Sequence, residues 1–404
     1  MDSLTQLVLG AACGEAVLGK KIGNKALVLG AIGGTIPDLD VLANFVLDQL
    51  DALAFHRGPM HSLLFACIFP FIIAFFIKKF YDSGIFNRKA YRIFGFVFGI
   101  LIFLGIGGVL SAILIFILST QGYLYVAILI LSGFFFFRYV YKNYLVKSQE
   151  FPSANYFDFV KLFFLSIITH PLLDALTTFG TQLLWPFSNH RFAVSNIAIV
   201  DPIYTFPFLG TVIACGFFDK SDRRRTIINY TGIIISSLYM IGTLYTKSKV
   251  DSVFEQSLQS NSIKYTRMLT TPTILNNILW YGIAESDSVY YCGYYSIFDS
   301  KKSVELSPVP KSRNITDPYK ETKLIKTLSW FSEYYYNAMP TNGDTIQYND
   351  LRYGTMSFKF DKAEDFIFHF NLLKVDEGIN LLPEERPKNN RRDLKTFWER
   401  LKGN

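Results

Sequence analysis

The sequence predicts an all-α membrane domain that crosses the bilayer several times, followed by a small soluble α+β domain. Half of the 404 residues are hydrophobic and the mean hydropathy is +0.24, which is too apolar for a wholly soluble chain of this size. The apolar residues form long runs before residue 247, near the ~20 residues needed to cross a bilayer. After residue 247, charged residues, Asn, Ser and Tyr become frequent. We therefore expect a membrane domain at 1–247 and a soluble domain at 248–404.

About eight segments are predicted to span the membrane fully or partly. They are 4–19, 26–47 (interrupted), 62–80, 93–118, 122–141, 157–180, 203–218 and 226–245, of which the first and seventh are short. Lys and Arg concentrate in alternate connections, whereas the intervening connections carry Asp and His. Because basic connections stay in the cytoplasm, we expect a multi-pass protein of the cell membrane whose C-terminal domain is extracytoplasmic.

The charge and the cysteines exclude other classes of protein. The net charge is +7, but the basic residues lie between apolar segments, where membrane topology accounts for them. We therefore expect membrane lipid as a partner and no nucleic acid. The four cysteines are isolated and form no CxxC pair, so neither a disulfide framework nor a zinc ribbon is predicted.

Three pairs of Asp and His residues stand out in the membrane domain. They are Asp38 with Asp40 after a proline, His56 with His61 around a Gly-Pro turn, and His170 with Asp174 inside an apolar run. On a helix, His170 and Asp174 share one face because they are four residues apart. Pro171 disfavours helix at the preceding residue, so His170 is expected at a kink or a helix start.

The three pairs together predict a metal site. Carboxylates and imidazoles are ligands of zinc, manganese and iron. The predicted metal ligands are Asp38, Asp40, His56, His61, His170 and Asp174. Taken singly, each pair has a simpler interpretation as a helix cap, an interfacial residue or a hydrogen-bonded core histidine. The case for a site is that all three pairs belong on or toward one membrane face. An unpaired buried Asp would also be costly there.

Three residues are predicted to act in catalysis, namely Glu15, Asp38 and Arg57. Glu15 is an acid inside an apolar segment, where acids are usually functional, and its partner is the metal, Arg57 or a substrate cation. Either Glu15 or a spare Asp would serve as the general base. Arg57 is suited to a phosphate or carboxylate of the substrate.

Further polar residues are weaker candidates. His190 with Asp201 is a candidate fourth pair that also reads as an ordinary polar loop, and the sequence leaves this open. Thr177 and Thr178 are placed to orient Asp174. His369 lies among phenylalanines of the soluble domain and is predicted to be structural.

The same motifs resemble those of the membrane-bound, metal-dependent hydrolases linked to LexA regulation. The matching blocks lie between residues 1 and 210, and the more specific ones are HRGxxHS at His56–Ser62 and HxxxDxxTxxG at His170–Gly180. The resemblance implies an inner-membrane protein with a metal-dependent hydrolase activity of unspecified substrate. Many relatives carry a His near the start, and here that position is Gln6.

The C-terminal part is similar to the extension of longer members of that family. Residues 279–283 and 289–295 are rich in aromatic and β-branched residues and predict strands joined by a turn at 285–288. A helix at about 321–336 and strands near 346–371 would complete the domain.

Three functions follow as hypotheses. The first is a membrane-embedded hydrolase that uses a metal-activated water on an amphiphilic or lipid-like ester or phosphoester. The second is a transporter or sensor in which the same His and Asp residues pass or detect a cation or protons. The third is a membrane anchor for the soluble domain, with the cluster serving only stability.

Overall fold

A computed structural model describes residues 1–118, 122–146, 153–355, 357–376, 378–383 and 391–403. The chain divides into two compact units, one formed by residues 1–70 and 161–404 and the other by 71–160. The predicted soluble-domain boundary at 247 is not a division between these units. The candidate site and the C-terminal sheets therefore belong to the same unit.

The part before residue 260 is helical. The helices are α1 (Ser3–Ile22), α2 (Asn24–Thr35), α3 (Gln49–Phe55), α4 (Leu63–Asp82), α5 (Lys89–Leu118), α6 (Gly122–Val140), α7 (Tyr156–Asp174), α8 (Pro202–Cys215) and α9 (Arg223–Ser260). Each of the eight predicted apolar segments contains a helix, as the hydropathy pattern indicated.

The count of eight membrane spans is not supported. Among the described residues, α4, α7 and α9 are long and apolar enough to cross a membrane, and a fourth span results if α2 and the following 3-10 helix count as one. The short predicted segment at 203–218 is the 14-residue α8, which reaches only ~21 Å of the ~30 Å hydrocarbon core. The predicted spans at 93–118 and 122–141 fall on α5 and α6, where several side chains lie outside the described residues.

Helices α1 and α2 pack through glycines. Gly10 and Gly14 on α1 face Gly30 and Gly34 on α2, and a Cβ on Gly30 would lie 2.8 Å from the Cα of Gly14. Small residues four apart allow such close backbone approach between membrane helices. This contact sets the C-terminal end of α2 against the first turns of α1.

The chain bends where α2 ends. A 3-10 helix from Pro37 to Phe45 follows α2 at an angle of 50°. Pro37 at its first position suits this start because a proline has no N–H to leave unpaired. The bend places Asp38 and Asp40 beside the N-terminal end of α1.

Helix α7 continues through its proline to Asp174, so the predicted helix start at His170 is wrong. His170 and Asp174 are both fully buried within this helix and lie 3.5 Å apart at their nearest polar atoms. The predicted sharing of one helix face is therefore confirmed.

The C-terminal part contains two antiparallel sheets of four strands each. The first is β1 (Arg267–Pro272), β2 (Leu279–Glu285), β3 (Val289–Ser296) and β4 (Ser307–Pro310), and the second is β5 (Tyr336–Pro340), β6 (Thr345–Asp350), β7 (His369–Val375) and β8 (Gly378–Leu381). Helix α10 (Lys323–Phe331) separates them and α11 (Arg391–Leu401) ends the chain. The predicted helix at 321–336 is shorter than expected: it ends at Phe331, and Glu333 and Tyr334 follow with positive φ before Tyr336 begins β5.

Helix α9 connects the two parts without a break. It extends beyond the predicted boundary at 247 to Ser260. Val250 and Phe254 are almost fully buried and pack against Trp280 and Tyr295 of the first sheet. The last turns of this helix therefore belong to the core of the C-terminal sheets.

Candidate metal centre

Four side chains converge where the end of α2, the loop before α4 and the end of α7 meet. The ligand atoms of Asp38, His61 and His170 lie within 4.8 Å of one another. The two imidazole Nε2 atoms are 3.1 Å apart, and Asp38 Oδ1 lies 3.7 Å from that of His61 and 3.4 Å from that of His170. Asp174 Oδ2 lies 3.4 and 3.5 Å from the same two nitrogens. Three sequence pairs thus contribute to one cluster.

The hydrogen bonds around the two histidines leave a lone pair on each Nε2. His170 Nδ1 lies 2.6 Å from the Gly34 carbonyl, which only accepts, so the ring proton is on Nδ1. His61 Nδ1 lies 3.2 Å from Asp40 Oδ2; the angle is not that of a hydrogen bond, but a nearby carboxylate favours a proton on Nδ1. Two Nε2 lone pairs in direct contact repel each other unless a cation or a proton lies between them.

The donor separations fit a tetrahedral metal ion. Ligands about 2.0–2.1 Å from a tetrahedral zinc ion are about 3.3–3.4 Å apart. Five of the six separations among the four donor atoms range from 3.1 to 3.7 Å. Asp174 Oδ2 is also buried without a hydrogen-bond partner. Two neutral imidazoles and two carboxylates are a donor set that suits a divalent metal.

Asp40 and His56 lie behind this cluster. Asp40 is 3% exposed and accepts from the backbone N–H of Arg57 at 2.9 Å, while its other oxygen lies 2.9 Å from His56 Nδ1. Both Asp40 oxygens are therefore used in holding the loop that carries His61. This is the carboxylate–histidine arrangement that fixes the orientation of metal ligands.

Asp38 and Asp174 are each fixed by neighbours. Ser3 Oγ donates to Asp38 Oδ2 at 2.7 Å, which directs the other carboxylate oxygen toward the histidines. Gln6 Nε2 donates to Asp174 Oδ1 at 2.9 Å, and the Met1 amino group contacts the same oxygen. Gln6, which stands where many relatives carry a His, therefore donates a hydrogen bond to a member of the cluster.

Arg57 is buried at the edge of the cluster with an unusual backbone. Its φ is +58°, a conformation that is costly for a non-glycine residue and that clusters at functional sites. Its Nε lies 3.1 Å from Asp174 Oδ2, and its Nη1 donates to Thr177 Oγ1 at 3.0 Å. Burial lowers the pKa of Arg57 to about 10, opposed by nearby Tyr353 and the aspartates. Thr177 thus orients Arg57 rather than the Asp174 carboxylate.

Glu15 is not brought to the cluster. It forms a buried ion pair with Arg225 through two hydrogen bonds of 2.6 and 2.5 Å. It also lies nine residues beyond Gln6 on α1, about 13 Å along the axis. The partner of this acid is therefore an arginine on α9, and its catalytic role stays a prediction.

The other candidates also lie apart. His190 is exposed and its ring packs edge-on against Phe192. Asp201 caps the N-terminus of α8 and accepts from the Tyr239 hydroxyl at 2.8 Å. His369, half-buried in β7, lies 3.2 Å from the Phe366 carbonyl through its Nδ1.

Sequence reasoning did not identify three further residues near Arg57. Arg191 and Arg352 are buried, and Tyr353 is half-buried with a buried hydroxyl, on the side of the cluster that meets the C-terminal part. Arg191 follows His190 directly in the polar loop after α7. Apolar neighbours on both sides, Trp185 to Phe187 and Phe192, are the only local signal that this arginine is buried.

Large apolar side chains are exposed in two segments of the helical part. Phe45 at the end of the 3-10 helix and Val46 after it are 87% and 86% exposed, and Phe187 in the loop after α7 is 85% exposed. Exposed apolar side chains are expected where a protein faces lipid.

Comparison with known families identifies the first 250 residues of the chain. The family model described as YdjM inner membrane protein matches residues 1–250, which include every member of the cluster. No curated protein and no solved structure matches the chain. Together with the apolar helices, the match shows a membrane protein, and the chain belongs to the YdjM inner membrane protein family.

Proposed function

We propose that this protein is a membrane-embedded, metal-dependent hydrolase whose metal is held by Asp38, His61, His170 and Asp174. The observation that carries the proposal is the pair of imidazole Nε2 atoms 3.1 Å apart, with a backbone carbonyl at Nδ1 of His170 and a carboxylate at Nδ1 of His61. A metal ion or a proton between the two Nε2 atoms would relieve their repulsion, and the two carboxylates that flank that position favour the metal ion. Zinc, manganese and iron all suit this donor set.

The four residues differ in access to water, which assigns them different tasks. His61, His170 and Asp174 have fully buried side chains, whereas the Asp38 side chain is 22% exposed. Four protein ligands fill a tetrahedral site, so a divalent metal here would act as a Lewis acid on water only if one ligand gives up its position. Asp38 is the one of the four that is open to solvent, so it would be the ligand best placed to yield to a water and to accept its proton. Asp40 and His56 would keep the ring proton of His61 on Nδ1.

The surroundings support an amphiphilic substrate. The exposed apolar residues Phe45, Val46 and Phe187, which lie in the two segments that follow Asp38 and Asp174 in the chain, would face lipid, so a lipid-like ester or phosphoester could approach from within the membrane. Arg57 lies next to Asp174 and carries a donor without a hydrogen-bond partner. A buried guanidinium of this kind would bind the anionic group of the substrate.

We also propose that the cluster and the C-terminal sheets face the extracytoplasmic side. The loop after α7 contacts the C-terminal part directly, because Trp330 Nε1 on α10 donates to the Asn189 carbonyl at 3.1 Å and Asn277 before β2 donates to the Asn196 carbonyl at 2.8 Å. The two parts would then lie on the same side, opposite the basic connections.

Turnover by the purified full chain tests the hydrolase proposal. The protein, stripped of metal in detergent and reloaded with zinc or manganese, is assayed with short-chain fluorogenic carboxylic esters and phosphomonoesters. We expect hydrolysis that requires the metal and is lost in His170→Ala, while His369→Ala retains it. Metal-loaded protein that turns over neither class would contradict the hydrolase assignment.

A proton- or cation-linked transporter or sensor is the second candidate. The bend of 50° between α2 and the 3-10 helix at the cluster favours it, because broken helices mark transporter sites. A single shared proton would also hold the two imidazoles together. Wild-type protein that binds no metal but takes up a proton in a His170-dependent manner would favour this candidate.

A further inference from the structure

A column of alternating guanidinium groups and phenyl rings extends from the metal centre to the C-terminal sheets. The Cζ atoms of Arg57 and Arg191 lie 4.6 and 4.5 Å from the centre of the Phe179 ring. The Cζ atoms of Arg191 and Arg352 lie 5.1 and 5.4 Å from the centre of the Phe331 ring. The three arginines are 5%, 3% and 0% exposed. Three buried positive charges thus lie along one column of stacked groups.

Two of the three arginines have a carboxylate partner. Arg57 lies 3.1 Å from Asp174, and Arg352 lies 2.7 Å from the fully buried Asp350. For Arg191, the contacts among the described residues include no carboxylate. Buried charges are normally paired, because an unpaired one is costly to desolvate. Within the part of the chain that the structure describes, Arg191 therefore has no carboxylate in direct contact; the charge of Glu333 reaches it, but that carboxylate pairs with Arg352 at 3.0 Å.

The hydrogen bonds of Arg191 leave one end of its guanidinium unused. Its Nε and Nη2 donate to the Phe179 carbonyl at 3.0 and 2.8 Å, and Nη2 lies 3.4 Å from the Gly180 carbonyl. Its Nη1 is buried with no hydrogen-bond partner. The carbonyls hold the guanidinium in place while two N–H groups of Nη1 stay free for a ligand.

Two neighbouring groups have unused donors as well. The Tyr353 hydroxyl and Arg57 Nε are buried without a hydrogen-bond partner, although Arg57 Nε is close to Asp174. Tyr353 interacts electrostatically with all three arginines of the column. Unsatisfied buried donors are rare in folded proteins, so three in one region point to a missing acceptor.

The electrostatics of the region favour an anion. Burial, followed by the charge of Arg352, lowers the pKa of Arg191 to about 9. Burial raises the pKa of Tyr353 to about 12, so its hydroxyl remains a neutral donor at physiological pH. An anion would accept from both groups and offset the repulsion between the guanidinium groups.

We propose that Arg191, Tyr353 and Arg57 bind a phosphate group, so that the C-terminal domain completes the substrate site of the metal centre. A phosphate offers acceptor oxygens in several directions, which matches free donors on three separate side chains. The binding itself is independent of any metal. That the phosphate belongs to the substrate rests on the proposed hydrolase function, and it makes that substrate a phosphate-bearing amphiphile.

The position of Tyr353 gives the C-terminal domain a role. Residues Leu351–Tyr353 form a short 3-10 turn directly after β6, where Asp350 accepts from the backbone N–H of Arg352. The Arg352 Nη1 group also lies 3.5 Å from the Thr178 carbonyl, four residues after Asp174. The second sheet therefore holds one wall of the phosphate site against the end of α7.

Phosphate binding by the purified full chain in detergent tests the proposal. Inorganic phosphate is titrated by calorimetry in one arm, and short-chain phosphatidic acid is titrated in the other. We expect Arg191→Gln to weaken binding by about tenfold or more and Tyr353→Phe to weaken it several-fold. Arg267→Gln is the matched control, because Arg267 also stacks on a tyrosine but is paired with Glu285 at 2.6 Å.

The two arms distinguish the source of the phosphate. Arg191-dependent binding of inorganic phosphate indicates a free phosphate, and Arg191-dependent binding of phosphatidic acid alone indicates a lipid headgroup; both support the site. If neither ligand binds, or if Arg191→Gln and Tyr353→Phe both bind as wild type does, the proposal is wrong. Tyr353→Phe keeps the test valid should Arg191→Gln fail to fold, which its thermal melt reports.

Metal content measured on the same samples separates this proposal from the hydrolase. If the variants lose phosphate binding and the wild type contains no metal, the phosphate site is supported and the metal centre is not. If the wild type binds metal and turns over substrate but binds no phosphate, the hydrolase proposal is supported and the phosphate site is contradicted.

Discussion

Substitution of Asp40 separates a supporting residue from a metal ligand. The Asp40 carboxylate contacts the backbone N–H of Arg57 and His61 Nδ1 through one oxygen and His56 Nδ1 through the other. In Asp40→Asn, the amide oxygen can replace the carboxylate oxygen that faces Arg57 and His61, so these two contacts persist without the charge. In Asp40→Ala, all three contacts are lost.

The structure therefore predicts a graded effect on metal affinity. Removal of a residue behind a metal-binding histidine costs ~10–100-fold in affinity. We expect Asp40→Asn near the lower end, about 1.4 kcal/mol, and Asp40→Ala near the upper end, about 2.7 kcal/mol. The number of metal ions bound at saturation should stay that of wild type in both, because no ligand is lost.

Competition with a fluorescent zinc chelator measures the affinity, and elemental analysis measures the stoichiometry. Asp48→Asn is the control, because Asp48 caps α3 through a 2.7 Å hydrogen bond and Asn is an equally good cap. If both Asp40 variants lose the metal entirely and equally, Asp40 is itself a ligand, as the sequence had suggested, and the placement behind His61 is wrong.

Four further predictions concern the site, the helices, the sheets and the topology. His61→Ala should lower metal content sharply while His369→Ala should not; equal content in the two would remove the site. In Gly30→Val, the new side chain would meet the backbone of α1 and should separate α1 from α2, which lowers both thermal stability and metal content. An unchanged melting curve would count against the packing. Residues 248–404 expressed alone should melt cooperatively. Phe254 is 1% exposed, so Phe254→Ala should destabilise this fragment by about 3–5 kcal/mol. A change below 1 kcal/mol would mean that α9 is not part of its core. A C-terminal alkaline phosphatase fusion should be active in cells, whereas a fluorescent C-terminal fusion beside an inactive phosphatase would reverse the topology.

The cluster itself was predictable because its residues lie in short, recognisable motifs. The four-residue spacing of His170 and Asp174 required only a helix, and α7 supplies it through Pro171. The sequence could not separate the tasks of Asp38 and Asp40. Two residues apart in a 3-10 helix, they point in different directions, one toward the histidine pair and one behind it.

Partners that are distant in sequence could not be predicted. Glu15 is paired with Arg225, 210 residues away, and this pairing depends on how α1 packs against α9. Likewise, nothing local brings Arg191 to Tyr353, since one follows α7 and the other follows β6. The apolar run ends near 245, but a helix need not end where its apolar run does. Helix α9 continues to Ser260 because a sheet covers its last turns.

The central claim is that a metal ion lies between two imidazole nitrogens and two carboxylates. X-ray absorption at the metal edge of the purified, metal-loaded protein measures this most directly, because it reports both the identity and the distances of the ligands. We expect one metal ion per chain with two imidazole nitrogens and oxygen ligands at about 2.0–2.1 Å, and loss of one imidazole shell in His170→Ala. A bound metal without imidazole ligands, or a spectrum unchanged by His170→Ala, would contradict the account.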